Sequence, residues 1–133
     1  AMDHVLGYSA FNDGSVRDWQ KHSIYAGKNF ANSGSWGPWI TTAEALPPPQ
    51  DLHLTVTLNG EVVQAAYGRE MLFSVAEQIS YISTLFTLQP GDVIATGSPN
   101  GTGGSRIPKR FLKPGDTISM AVSDIMNLTN TIV

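Results

Sequence analysis

The chain has 133 residues, 41% hydrophobic and 14% charged. That is enough apolar material for one buried core and too little charge for a disordered segment. A net charge of −3 with scattered Lys and Arg, no cysteine, and no apolar run near the ~18 residues of a membrane span argue against nucleic-acid binding, membrane attachment, disulfides and thiolate metal sites. A cytoplasmic protein is expected.

In chain order, residues 4–11 (HVLGYSAF) are rich in β-branched and aromatic types and predict a strand. Residues 36–42 (WGPWITT) predict a second, with Pro38 marking an edge or entry position because it cannot donate to a ladder. Leu52-His53-Leu54-Thr55-Val56-Thr57-Leu58 alternates, with the leucines and Val56 on one face. Asn59-Gly60 tolerates the positive φ of a tight turn and Glu61-Val62-Val63-Gln64 returns, so residues 52–64 predict a hairpin.

Ser74 and Glu77 have the spacing of a capping box, and Val75, Ile79, Ile82 and Phe86 recur at helical spacing. A helix over 74–86 is predicted, laying this stripe on a sheet. Leu88-Gln89-Pro90-Gly91-Asp92-Val93-Ile94 is echoed by Leu112-Lys113-Pro114-Gly115-Asp116-Thr117-Ile118. Each Pro-Gly suits a type II turn, and each turn is expected to launch a strand. The first of these strands would run buried through Asp92–Pro99. Residues 117–123 and 126–133 predict two more strands around Ser123-Asp124. One helix among about seven strands makes an α+β domain on a mixed or antiparallel sheet.

The densest polar stretch is Asn12-Asp13-Gly14-Ser15-Val16-Arg17-Asp18-Trp19-Gln20, leaving a strand end where functional side chains are often displayed. Local pattern alone reads it more readily as a helix cap with an Arg17–Asp18 surface pair. Lys28, between Gly27 and Asn29-Phe30, suits either a site or solvent. Thr96-Gly97-Ser98 permits close approach to a ligand or only a turn. Gly101-Thr102-Gly103-Gly104 lacks the Lys-Ser/Thr ending and the following helix of a P-loop. His4, His22 and His53 have no zinc spacing, and no G-x-S-x-G elbow occurs.

Taken in order, several motifs resemble the fumarylacetoacetate hydrolase family. They are Gly7-Tyr8 leading to Asn12-Asp13, then Arg17-Asp18-Trp19-Gln20, Gly27-Lys28-Asn29-Phe30 and Gly37-Pro38-Trp39-Ile40. Leu58-Asn59-Gly60-Glu61, Met71-Leu72-Phe73-Ser74, the Pro90–Gly97 run and Leu112–Asp116 complete the series. The resemblance implies the C-terminal catalytic domain of that family, a β-sheet roll with one main helix. It implies a metal-dependent hydrolase or lyase cleaving carbon–carbon bonds in β-diketo or 2-oxo acids, of acylpyruvate or fumarylpyruvate type. Decarboxylases, isomerases and tautomerases belong to the same family.

By the same resemblance, Asp13 is a ligand of Mg²⁺, Mn²⁺ or Ca²⁺, hard cations that take oxygen donors. Lys28 is the catalytic residue and binds substrate, stabilising the enolate or oxyanion. Gln20, Thr96 and Gly97 contact the small-molecule substrate, and Arg17 and Asp18 brace the site from behind. A homodimer is implied too, in keeping with a charged share below the usual ~25%.

The family's E-x-E carboxylates and its histidine–glutamate pair fall upstream of Asp3, so residues 1–133 read as a partial domain. Gly14, Val16 and Ser98 depart from the usual pattern. Besides the enzyme, two further readings stand: a truncated, non-catalytic family member keeping scaffold and dimer surface, and a small β-rich binding module.

Overall fold

In the computed structural model, which describes residues 1–123 and 125–133, Asn59 and Gly60 take φ values of 52° and 83°. These are the paired positive angles of a type I′ turn. They join β3 (His53–Leu58) to β4 (Glu61–Tyr67), with Leu58 opposite Glu61, as the sequence predicts. β3 also pairs with β5 (Thr117–Val122), which pairs with β6 (Met126–Thr131). The sheet has the order β4-β3-β5-β6 and is antiparallel throughout. The expected turn at Ser123-Asp124 falls partly on Asp124, which lies outside the described residues.

β1 (Gly7–Asn12) and β2 (Ser35–Thr42) form a separate antiparallel pair. β1 lies against β5 and β6, and β2 against β6. Ala10, Val56 and Met120, one from each of β1, β3 and β5, are buried together. Leu54, Val63, Ile118, Val122 and Leu128 pack around them. The alternation read in residues 52–58 is therefore real: Val56 and Leu58 are buried and Leu54 packs on the core.

Both Pro-Gly turns form, and by the same device. Gly91 and Gly115 have φ of 99° and 92°, and Asp92 N and Asp116 N donate to Gln89 O and Lys113 O at 3.1 and 3.0 Å. Each aspartate carboxylate then accepts from the backbone N–H three residues back, at 2.7 Å from Gln89 and 3.1 Å from Lys113. Only the second turn launches a strand. β5 finds β3 and β6 on its two sides, whereas no ladder forms over residues 92–99. Instead of a buried strand this stretch is irregular and mostly exposed, because no strand among the described residues stands beside it.

The helix α1 (Val75–Leu85) starts at Ser74, whose Oγ accepts from Glu77 N at 3.3 Å while Ser74 N donates to Glu77 Oε2 at 2.7 Å. The Ser74 hydroxyl, which also donates to Glu77 Oε2 at 2.7 Å, and then Ser74 N hold the Glu77 carboxyl below its ordinary range. It is the one α-helix among the described residues, and none is long and apolar enough to cross a membrane. Its stripe departs from expectation. Val75 is buried, Ile79 and Ile82 are half-buried and Phe86 is exposed. Ile82 and Phe86 at the far end of the stripe border the 88–95 segment, and no strand among the described residues covers them.

Asp116 is the one buried charged or polar residue among those described, at 5% exposure. Its Oδ1 accepts from Asn59 Nδ2 at 2.8 Å, and Asn59 Oδ1 accepts from Thr117 N at 2.8 Å. The bond from Asn59, then that from Lys113 N, hold the Asp116 carboxyl below its usual range. A carboxyl lowered in the folded state stabilises the fold above its unfolded value of about 3.9. That contribution is lost as pH falls through the lower folded value. Asp116→Asn should therefore lower the urea midpoint at pH 7. The gap to wild type should shrink as pH drops below about 4, and a gap constant with pH would contradict this role.

Candidate active site

β1 ends at Asn12, and its side chain fixes where the next residue stands. Asn12 Nδ2 donates to Asn130 Oδ1 on β6 at 3.1 Å, and Ser35 Oγ on β2 donates to the same oxygen at 2.7 Å. Asp13 follows at this seam between the sheets. The chain then turns through the 3₁₀ segment Arg17–Lys21 and comes back, with Val16 N donating to Gly27 O at 2.9 Å. Two glycines let the outgoing and returning arms touch. A Cβ on Gly14 would stand 1.7 Å from Ser33 O, and one on Gly27 would stand 2.3 Å from Gln20 Cγ. Trp19 meets Phe30 edge-on with ring centroids 5.5 Å apart, clamping the arms further.

This closure brings Lys28 to Asp13. Lys28 Nζ donates to Asp13 Oδ2, with the two side chains 29% and 32% exposed. Partial removal from water makes the pair stronger than a fully solvated one. Gln20 lies against Gly27, next to Lys28, and its Oε1 is buried without a hydrogen-bond partner. Buried polar atoms are nearly always paired, so an orphan of this kind calls for a ligand or water. The Tyr8 hydroxyl on β1 is buried and unpartnered as well, and burial pushes its pKa up. In the sequence Tyr8 stands out only as part of the Gly7-Tyr8 motif. No local pattern marks which tyrosine is deprived of a partner.

The other candidates lie as follows. The Arg17 guanidinium rests on Gly104, where a Cβ would stand 2.6 Å from Nη2. Gly104 belongs to a loop anchored on β4, since Gln64 Nε2 donates to Pro99 O at 2.6 Å and Arg106 Nη2 to Val63 O at 2.7 Å. Thr96 O accepts from Gln78 Nε2 of α1 at 3.2 Å, and Gly97 has φ 115°. Among the described residues no hydrogen bond joins Thr96 or Gly97 to Asp13, Lys28 or Gln20. Asp18 departs from the bracing position expected of it. It is 91% exposed and meets Lys21 at 3.7 Å, one helical step along the surface, and it pairs with neither Arg17 nor the Asp13 cluster.

The donor set bears on whether a divalent cation fits. A hard cation takes about six oxygens, usually several from carboxylates. Among the described residues Asp13 Oδ1 receives no hydrogen bond, and it fits one ligand position. Among the described residues, no group of three or more His, Asp or Glu side chains stands ready to complete the set.

The family description "Fumarylacetoacetate (FAA) hydrolase C-terminal" matches residues 1–133. A solved structure of fumarylacetoacetate hydrolase from psychrophilic Exiguobacterium antarcticum is 36% identical with a TM-score of 0.93, over 98% of this chain and 48% of that one. 5-carboxymethyl-2-hydroxymuconate delta-isomerase from Mycobacterium smegmatis is 35% identical with a TM-score of 0.83, over 96% and 48%. Fumarylpyruvate hydrolase from Pseudomonas aeruginosa, in complex with Mn²⁺ and pyruvate, is 29% identical with a TM-score of 0.87, over 100% and 56%. The chain spans about half the length of the curated relatives it matches. One from Burkholderia cenocepacia is 41% identical over 94% of this chain and 46% of its own length.

Proposed function

The chain belongs to the fumarylacetoacetate hydrolase family, and we propose that it is part of a metal-dependent enzyme cleaving carbon–carbon bonds in β-diketo or 2-oxo acids, fumarylpyruvate-type acylpyruvates among them. The observation that carries this reading is the Lys28–Asp13 pair with the unpartnered Gln20 oxygen beside it. Support comes from the similar hydrolase in complex with Mn²⁺ and pyruvate, itself a 2-oxo acid.

In this reading Asp13 gives one oxygen to Mg²⁺, Mn²⁺ or Ca²⁺, and polypeptide outside these 133 residues gives the other carboxylates. Such a cation would supply Lewis-acid polarisation of a 2-oxo or β-diketo group. Lys28 supplies fixed positive charge beside the oxygen on which negative charge develops, a contribution preorganised by its hold on Asp13. The buried Gln20 Oε1 accepts from a hydroxyl of the substrate, such as that of its enol form, and its Nε2 donates to a substrate oxygen. Thr96 and the Gly97 backbone contact the substrate from the loop after residue 92, and Arg17 braces that loop against the Asp13 arm through Gly104. Isomerisation is the second reading, favoured by the likeness to the delta-isomerase. It needs the same stabilised enolate without bond cleavage.

Exposed Trp36, Trp39 and Ile40 on β2 form the surface we assign to a homodimer. Sedimentation at micromolar concentration should give twice the chain mass, and a monomer would contradict the assignment.

The chain alone should bind Mg²⁺ or Mn²⁺ weakly and leave acylpyruvates and oxaloacetate intact. Joined to the half that its relatives carry beyond the matched region, it should bind the metal and turn over substrate. In that longer protein Asp13→Ala should abolish both. Lys28→Met should lower kcat about 10²–10³-fold, the usual effect of removing one oxyanion donor. Undiminished metal binding and turnover in Asp13→Ala would sink the assignment.

A further inference from the structure

Glycine follows asparagine twice in the chain, at Asn59-Gly60 and Asn100-Gly101. A glycine nitrogen has no side chain beside it to obstruct the preceding asparagine amide, so such pairs close to an imide more readily than others. Both asparagines are exposed, so access of water does not separate them. Their hydrogen bonds do. Asn59 Nδ2 donates to Asp116 Oδ1 and Asn59 Oδ1 accepts from Thr117 N, each at 2.8 Å. The Asn59 side chain is thereby drawn toward β5, and both bonds must open before its Cγ can turn to Gly60 N.

Asn100 is arranged the other way. Its Oδ1 accepts from Gly101 N at 2.8 Å, so the amide carbonyl already lies against the nitrogen that would attack it. Among the described residues nothing else holds Gly101 N, and nothing holds Asn100 Nδ2, the group that would leave. Reacting groups already in contact need no further ordering to meet. The fold also demands the glycine. Gly101 has φ 101°, and a Cβ there would stand 2.4 Å from Val63 O.

We propose that Asn100 is a site of spontaneous deamidation, through attack of Gly101 N on its side-chain amide, and that Asn59 is protected from the same reaction by Asp116 and Thr117. Gly101 N–H gives its proton to hydroxide, the nitrogen bonds to Asn100 Cγ, and the Cγ–Nδ2 bond breaks. The departing nitrogen takes a proton from water and leaves as ammonia. Water then opens the imide ring at either carbonyl, giving aspartate or isoaspartate. The isoaspartyl form carries one more carbon in the main chain between residue 100 and Gly101. That insertion falls where the loop is pinned: Gln64 Nε2 donates to Pro99 O at 2.6 Å and Arg106 Nε to Gly101 O at 3.1 Å. It therefore slackens the loop's hold on β4.

The test is peptide mapping by mass spectrometry of the 133-residue chain aged in mildly alkaline buffer, with and without urea. In urea neither side chain is held, and both asparagines should convert at similar rates. In the native chain Asn100 should convert roughly thirtyfold faster than Asn59, the factor for two ordinary hydrogen bonds that must open first. Similar native rates at the two positions, an Asn100 that outlasts Asn59, or no conversion of Asn100 would each overturn the proposal. Hydrogen exchange reads the loop. Exchange over residues 101–106 should rise as isoaspartate accumulates in the wild type and stay constant on ageing in Asn100→Ala. Unchanged exchange in isoaspartyl wild type would overturn the slackening.

Discussion

One side-chain oxygen holds the two sheets in register. Asn130 Oδ1 on β6 accepts from Asn12 on β1 and from Ser35 on β2, so both strands of the smaller sheet are tied to the edge of the larger. Each such bond contributes on the order of 1 kcal/mol. The apolar cluster of Ala10, Val56 and Met120 supplies the bulk of the attraction between the layers. What Asn130 adds is position. It fixes the last residue of β1 and the first of β2, and every residue of the candidate site on the intervening arms inherits its place from those two ends.

Held at both ends, residues 13–34 have to fold back on themselves, and contact between the arms follows from small residues. Gly14 presses on Ser33 and Gly27 on Gln20. The result is a lysine set against a carboxylate in partial shelter from water, beside an amide oxygen with no partner. A site meant only for stability would satisfy all its polar atoms. Among the described residues this one leaves Oδ1 of Asp13 and Oε1 of Gln20 unpaired, two acceptors that suit an oxygen-seeking cation and a substrate hydroxyl.

Local chemistry was readable wherever it was local. Asn59-Gly60, the Ser74–Glu77 box and both Pro-Gly turns depend on residues within a few positions of each other, and all take the form the sequence predicts. The 92–99 segment carries the same strand signal as β5, yet a strand is a relation between neighbours, and composition does not say whether a neighbour is present. Phe86 fails as a buried residue for the same reason: periodicity marks a face, and what covers that face is a separate matter. The Asn12–Asn130 bond spans 118 positions and left no trace in any window. Asp13 and Lys28 stood out only through family resemblance, since their local patterns favoured a cap and a solvated lysine. Asp18 is exposed, as a surface residue of the local pattern would be, but its partner is Lys21 and not the Arg17 that pattern suggested.

Anomalous diffraction at the manganese edge, on crystals grown with Mn²⁺ of the chain joined to the half that its relatives carry, tests the central claim most directly. The account predicts a peak within bonding distance of Asp13 Oδ1, with Lys28 Nζ still on Oδ2 and Gln20 close by. A peak away from Asp13, or one that takes both carboxylate oxygens after expelling Lys28, would contradict it.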